Sequence, residues 1–169
     1  MKKLVFSAAL LLSLGLGACG EEKAAPKEEV PASEQKANEK TVTAETPKWQ
    51  DEITKLASNS DSAADKFYAL EKLLMEYKAT EAEIKEFSTY IVDDYKSGNY
   101  LSEIDNHERM LSNIFKSYYV EKNSEGALKD FAFDYFQNMK YTYRGVDTVD
   151  SEAVKSNEEQ MNEVIKKIK

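Results

Sequence analysis

Thiols and imidazoles are the side chains best suited to nucleophilic and acid–base chemistry near neutral pH. This chain has one of each, Cys19 and His107. His107 falls on an apolar stripe with Ile104, Leu111 and Ile114, which leaves two roles open. It serves as a general base or pH sensor if Glu103, one helical turn back, faces it as i−4 neighbours do. Otherwise it is a half-buried ring satisfied by a tyrosine or a carboxylate, the commoner fate of a lone histidine. Hydroxyls are plentiful, so a serine triad stays formally open, but the sequence has no G-x-S-x-G elbow to carry it. It also has no H-E-x-x-H, no cysteine pair at zinc spacing and no glycine-rich phosphate loop. One histidine is a thin basis for zinc. The expectation is a non-catalytic chain with no metal and no cofactor.

Two acidic pairs, Asp93–Asp94 and Glu158–Glu159, have the chemistry for calcium or for an acid/base couple. Adjacent residues diverge on a helix, and no D-x-[DN]-x-[DN]-G loop is present. Asp93 and Asp94, just before Tyr95, Lys96 and Gly98, therefore read as a solvated helix end. The ten tyrosines are the most unusual feature of the composition. Many lie at the edges of apolar stripes, where a ring buries its body and keeps its hydroxyl wet. The alternative is a recognition surface, since tyrosine and arginine are favoured in binding patches. The best local candidate is NMKYTYRG, from Asn138 to Gly145, which holds Tyr141, Tyr143 and Arg144, one of two arginines in the chain. Its alternating tyrosines leave the helical pattern just before a glycine, so a helix end or loop is expected, a common seat for binding. Tyr141, Tyr143 and Arg144, with His107, are the candidate binding residues.

Charge narrows the partners. The chain carries 31 acidic against 23 basic residues, a formal net charge of −8. Without a basic stripe, nucleic acid is a poor partner, and so is a membrane reached through a polybasic face.

The elements that position these residues begin with an address. Lys2 and Lys3 precede an apolar run from Leu4 to Leu16, broken by Ser7, Ser13 and Gly15. A spanning helix needs about 20 apolar residues, so this run suits a secretory signal peptide over residues 1–18. The four residues that follow the run's core, Leu16-Gly17-Ala18-Cys19, resemble the lipobox of bacterial lipoproteins. The resemblance implies a diacylglyceryl group on the Cys19 thiol, cleavage before it, and a mature chain held at the extracytoplasmic face of the cell membrane. Each buried methylene contributes roughly 0.8 kcal/mol, so two acyl chains hold a soluble domain where one holds it marginally. From Gly20 to Pro47 the chain is rich in Glu, Lys, Ala and Pro and contains all three prolines. Such a segment buries too little to offset its ordering entropy, and residues 19–47 read as a lipidated, disordered tether spanning about 30 Å.

Residues 48–169 contain no proline and three widely spaced glycines, Gly98, Gly126 and Gly145, as suits helices joined by short turns. Apolar residues recur at helical spacing in six groups. These are Trp49–Ala57, Phe67–Tyr77, Ile84–Tyr95, Leu101–Tyr118, Leu128–Met139 and Val154–Ile168, the last with a polar gap at Asn157 and Glu158. Thr80 with Glu83 reads as a capping box, Ser62 with Asp65 as its acidic analogue, and Asn99 as the start of the fourth helix. Asp147, Thr148 and Asp150 crowd the start of the sixth. The expected fold is all-α, an antiparallel bundle of five to six amphipathic helices after the tether. On that scaffold the expected function is a membrane-anchored surface module for an envelope protein or a cell-wall partner. A small-ligand lipoprotein with a pocket between helices is the alternative.

Overall fold

The computed structural model describes residues 48–168, and over these the protein is all-helical. The signal peptide, Cys19 and the tether expected over 1–47 lie outside the described residues. Six helices follow in order: α1 (Trp49–Ser58), α2 (Ala63–Glu76), α3 (Glu81–Lys96), α4 (His107–Asn123), α5 (Gly126–Tyr143) and α6 (Glu152–Val164), closed by a 3-10 turn at Ile165–Lys167.

α4 and α5 form the centre, because their apolar stripes are the widest. Met110, Leu111, Ile114, Phe115 and Val120 on α4, and Phe131, Ala132, Tyr135 and Met139 on α5, are fully buried. α1, α2 and α3 pack on α4, and α6 packs on α5. Cross-contacts give the directions. Trp49 stacks on Phe115 at 4.8 Å while Thr54 Oγ1 donates to Glu108, so α1 runs against α4. Phe87 meets the same Phe115 while Asp94 meets Arg109, so α3 does too. α4 and α5 are antiparallel, with Tyr118 at Phe136 and His107 at Tyr143. α2 and α3 are joined by a short link, yet they pack on α4 rather than chiefly on each other. Trp49, Tyr77, Phe87, Phe115 and Tyr119 make one aromatic cluster. Each such ring contributes roughly 2–3 kcal/mol through burial, and edge-to-face pairs add about 1 kcal/mol.

The helix ends explain where the chain turns. The capping box at α3 is complete, with Glu83 N–H on Thr80 Oγ1 and Thr80 N–H on Glu83 Oε2. Ser62 Oγ accepts from Asp65 N–H at the start of α2. α5 ends in a Schellman motif. Val146 N–H donates to Tyr141 O and Gly145 N–H to Thr142 O, and Gly145 sits at φ 69°, the left-handed region that glycine enters without strain.

Two boundary expectations are corrected. α4 starts at His107, capped by Asn106, whose side chain accepts from Arg109 N–H. Asn99 does not start it. Leu101 and Ile104 fall in single turns, closed by Ser102 N–H on Asn99 O and Asn106 N–H on Glu103 O, while the carbonyls of Asn99 and Tyr100 also receive the Arg109 guanidinium. The cap of α6 is Ser151, accepting from Val154 N–H, with Asp147, Thr148 and Asp150 just before it, at the start of the helix as expected.

Candidate functional site

The polar gap of α6 is the first surprise. Asn157 Nδ2 donates to Asn138 Oδ1 at 2.7 Å, and Glu158 Oε1 accepts from Tyr100 Oη at 2.8 Å. Asn138 Nδ2 donates in turn to Tyr100 Oη and to Val154 O. Through the Tyr100 carbonyl this network reaches Arg109, and Arg109 Nη2 lies 2.9 Å from Asp94 Oδ1. Asp94 Oδ2 accepts from Tyr135 Oη at 2.5 Å and from Asn113 Nδ2 at 3.2 Å. The gap is thus a stripe of polar groups matched across four elements. The expected solvated helix end holds for Asp93, which is exposed, and fails for Asp94, whose side chain is 13% accessible. Arg109 was no candidate on its sequence context. Its rarity was the available signal, since the chain has two arginines.

The candidate binding residues come together as two pairs. Tyr143 Oη and His107 Nδ1 share a hydrogen bond at 3.1 Å, where the end of α5 meets the first residue of α4. Burial pushes the Tyr143 phenol up to about 12, so it keeps its proton at neutral pH. Tyr143 is a core residue, 3% exposed, and His107 is half-buried. Tyr143 is the hydrogen-bonding partner of His107 among the described residues, which is the half-buried arrangement weighed against the catalytic one.

Arg144 makes the second pair. Its Nη2 donates to Tyr68 Oη at 2.9 Å, and its guanidinium lies 5.0 Å from the Phe67 ring and 5.1 Å from the Tyr68 ring. Its Nε is buried without a hydrogen-bond partner among the described residues. Tyr68, Val146 and Val149 around this turn are exposed large apolar residues. Tyr141 is half-buried, with Lys140 Nζ 4.3 Å over its ring. The four candidates therefore do not form one exposed patch. Tyr143 lies in the core, while His107, Tyr141 and Arg144 are half-buried, and Tyr68, missed in the sequence, joins Arg144 from the exposed side.

The other tyrosines are mostly architectural. Tyr119 Oη donates to the carbonyls of Leu74 and Tyr77 and so closes the end of α2. Lys66 is fully buried, and its ammonium donates to the carbonyls of Leu56, Ala57 and Asn59 and to Asn59 Oδ1. It caps α1 from the side, a cation at a helix C-terminus. The surface grooves include one between α2 and α5, about 380 Å³, lined by Phe67, Leu74, Met75, Tyr118 and Phe136 with Glu71 and Lys140 at its rim. No family model, curated protein or solved structure matches the chain.

Proposed function

We propose that this protein is a lipid-anchored, extracytoplasmic surface module that binds an envelope protein or wall partner without catalysis. The reading of the anchor rests on the lysine start, the short apolar run and Leu16-Gly17-Ala18-Cys19. The reading of the module rests on one observation in the folded part. Arg144 is clasped by Phe67 and Tyr68 at a face where Tyr68 is 54% and Val146 61% exposed. An oriented arginine among exposed aromatic and aliphatic groups is the composition that carries binding energy at protein interfaces.

The test has two readouts on intact cells. Cys19→Ser moves the protein from the membrane to the soluble fraction and removes the acyl mass from its amino end. Crosslinking captures a partner with the parent chain and loses it with Tyr68→Ala/Arg144→Ala. A parent chain with no acyl mass sinks the anchor, and undiminished capture by the double variant sinks the patch. The groove between α2 and α5 supports the small-ligand reading as a second choice, since its volume falls in the range of small-molecule sites.

A further inference from the structure

The groove between α5 and α6 has a chemistry that its own chain leaves unanswered. It measures about 670 Å³ and is lined by Asp130, Asp134, Glu159 and Glu163, with Ser156, Gln160 and Asn162 between them. Asp130 and Asp134 are one turn apart on α5, as Glu159 and Glu163 are on α6, so each pair stands on a single helix face. Asp134 is 5% exposed and makes no hydrogen bond or ion pair among the described residues. Its carboxylate oxygens are not among the fully buried unpartnered atoms, so they open on the groove, where the surrounding protein still disfavours their charge. Burial, then the Asp130 charge, pushes the Asp134 carboxyl up to about 6. On the groove's rim Glu163 lies 3.8 Å from Lys166, and both of those side chains are more than 70% accessible, so that pair is weak.

We infer that the α5–α6 groove is a docking site for a lysine- or arginine-bearing segment of a partner protein, with Asp134 as the carboxylate that receives its cation. Charge complementarity selects the occupant, because four carboxylates face the groove and no basic residue lines it. A chain-borne ammonium or guanidinium fits better than a metal ion. Among the described residues, no three carboxylate or imidazole groups converge closely enough to hold one. Carboxylates spread over two helix turns match a row of cations along a peptide. This site is separate from the Arg144 face and does not depend on the lipid anchor.

The test uses the full-length chain in a non-ionic detergent and a fluorescein-labelled peptide of alternating lysine and alanine, read by anisotropy at low salt. The parent chain binds it and does not bind the same peptide with glutamate for lysine. Asp134→Asn weakens binding about tenfold, and Asp130→Asn/Asp134→Asn/Glu159→Gln/Glu163→Gln removes it. A control with equal charge loss on exposed positions of α2 and α3, Glu71→Gln/Glu76→Gln/Glu81→Gln/Glu86→Gln, stays within about twofold. Circular dichroism melts accompany every variant, so that loss of binding is scored on folded protein. Equal weakening by the control overturns the inference as a net-charge effect. Tighter binding of a peptide of residues 20–47 overturns it in favour of the chain's own tether. Because the Arg144 face is tested by crosslinking on cells, either surface fails without the other.

Discussion

Arg109 reaches across from α4 to place Nη2 2.9 Å from Asp94 Oδ1, with both side chains less than one-fifth accessible. The same guanidinium holds the carbonyls of Asn99 and Tyr100, and the same carboxylate receives Tyr135 and Asn113. One ion pair therefore ties α3, the α3–α4 connection, α4 and α5. Removing one partner of a buried pair costs about 3–5 kcal/mol, because the other charge is left uncompensated. Arg109→Met and Asp94→Asn are each expected to lower urea-unfolding stability by about 3 kcal/mol, and the double variant by less than the sum. Additive losses would dissolve the pair. Arg109→Lys is expected to rescue little, because a point cation cannot serve the carboxylate and two carbonyls in one plane.

Lys66 makes a different kind of buried charge, satisfied by carbonyls at the end of α1 rather than by a carboxylate. Lys66→Met keeps the stem but orphans those acceptors, at about 2 kcal/mol. The effect is local. Amide exchange in α1 should rise more than in α5, and the emission of Trp49, the single tryptophan, reports the loosening of α1 from Phe115. Uniform acceleration of exchange in every helix would contradict the capping role.

Much of the fold was legible because a buried helix face repeats every 3.6 residues wherever the contacts are apolar. Phe67, Leu70 and Leu74, or Phe87 and Ile91, announce their helices this way and are buried as expected. The same rule misled at Leu101 and Ile104, since spacing cannot show that the chain there closes single turns. Polar partners far apart in the chain were the illegible part. Asp94 finds Tyr135, and Tyr100 finds Glu158, and nothing local to either residue says so. Lys66 lies next to an apolar stripe, and nothing in its spacing marks it as buried, since a lysine is seldom so. The Arg144 segment was visible through its composition, but its division into a core Tyr143 and a half-buried Arg144 is a matter of helix phase at the last turn.

That division is testable. Tyr143→Ala empties a core position that is 3% exposed and should cost about 3 kcal/mol. Tyr143→Phe removes only the hydrogen bond to His107, about 1 kcal/mol. Tyr141→Ala, at a half-buried position, should cost about 1 kcal/mol. Thermal melts set Tyr143→Ala apart from the other two variants, and a Tyr141→Ala loss equal to that of Tyr143→Ala would reverse the assignment.

Asp134 predicts stabilisation by a loss of charge. Its carboxyl titrates at about 6 in the folded chain and near 3.9 when unfolded. The folded state therefore holds a proton that the unfolded state has released, and stability falls as pH rises through that window. At pH 7 the folded protein bears the full cost. Asp134→Asn should raise stability there by about 1 kcal/mol, a figure reduced for screening in the open groove. Below about pH 4 it should change nothing. A destabilising substitution at pH 7 would mean that the carboxylate is satisfied.

At the alkaline end two kinds of group oppose each other. Lys116 is lowered to about 8 by burial, against the pull of Glu86 and Asp94. Its Nζ lies 3.2 Å from the centre of the Tyr90 ring. The unfolded chain binds that proton up to about pH 10.5, so from about pH 8 upward Lys116 makes stability rise. Burial pushes Tyr77, Tyr95, Tyr119 and Tyr143 up to about 12. Their unfolded counterparts ionise near pH 10, so here the folded state keeps protons that the unfolded state loses, and stability falls between about pH 10 and 12. Four tyrosines outweigh one lysine. Absorbance of tyrosinate should therefore lag and then rise together with the change in Trp49 emission, as core rings ionise on unfolding. Lys116→Met should flatten the rise above pH 8 and leave the later fall intact. Smooth ionisation of all ten tyrosines near pH 10, with Trp49 emission unchanged, would show that the core does not hold these phenols as described.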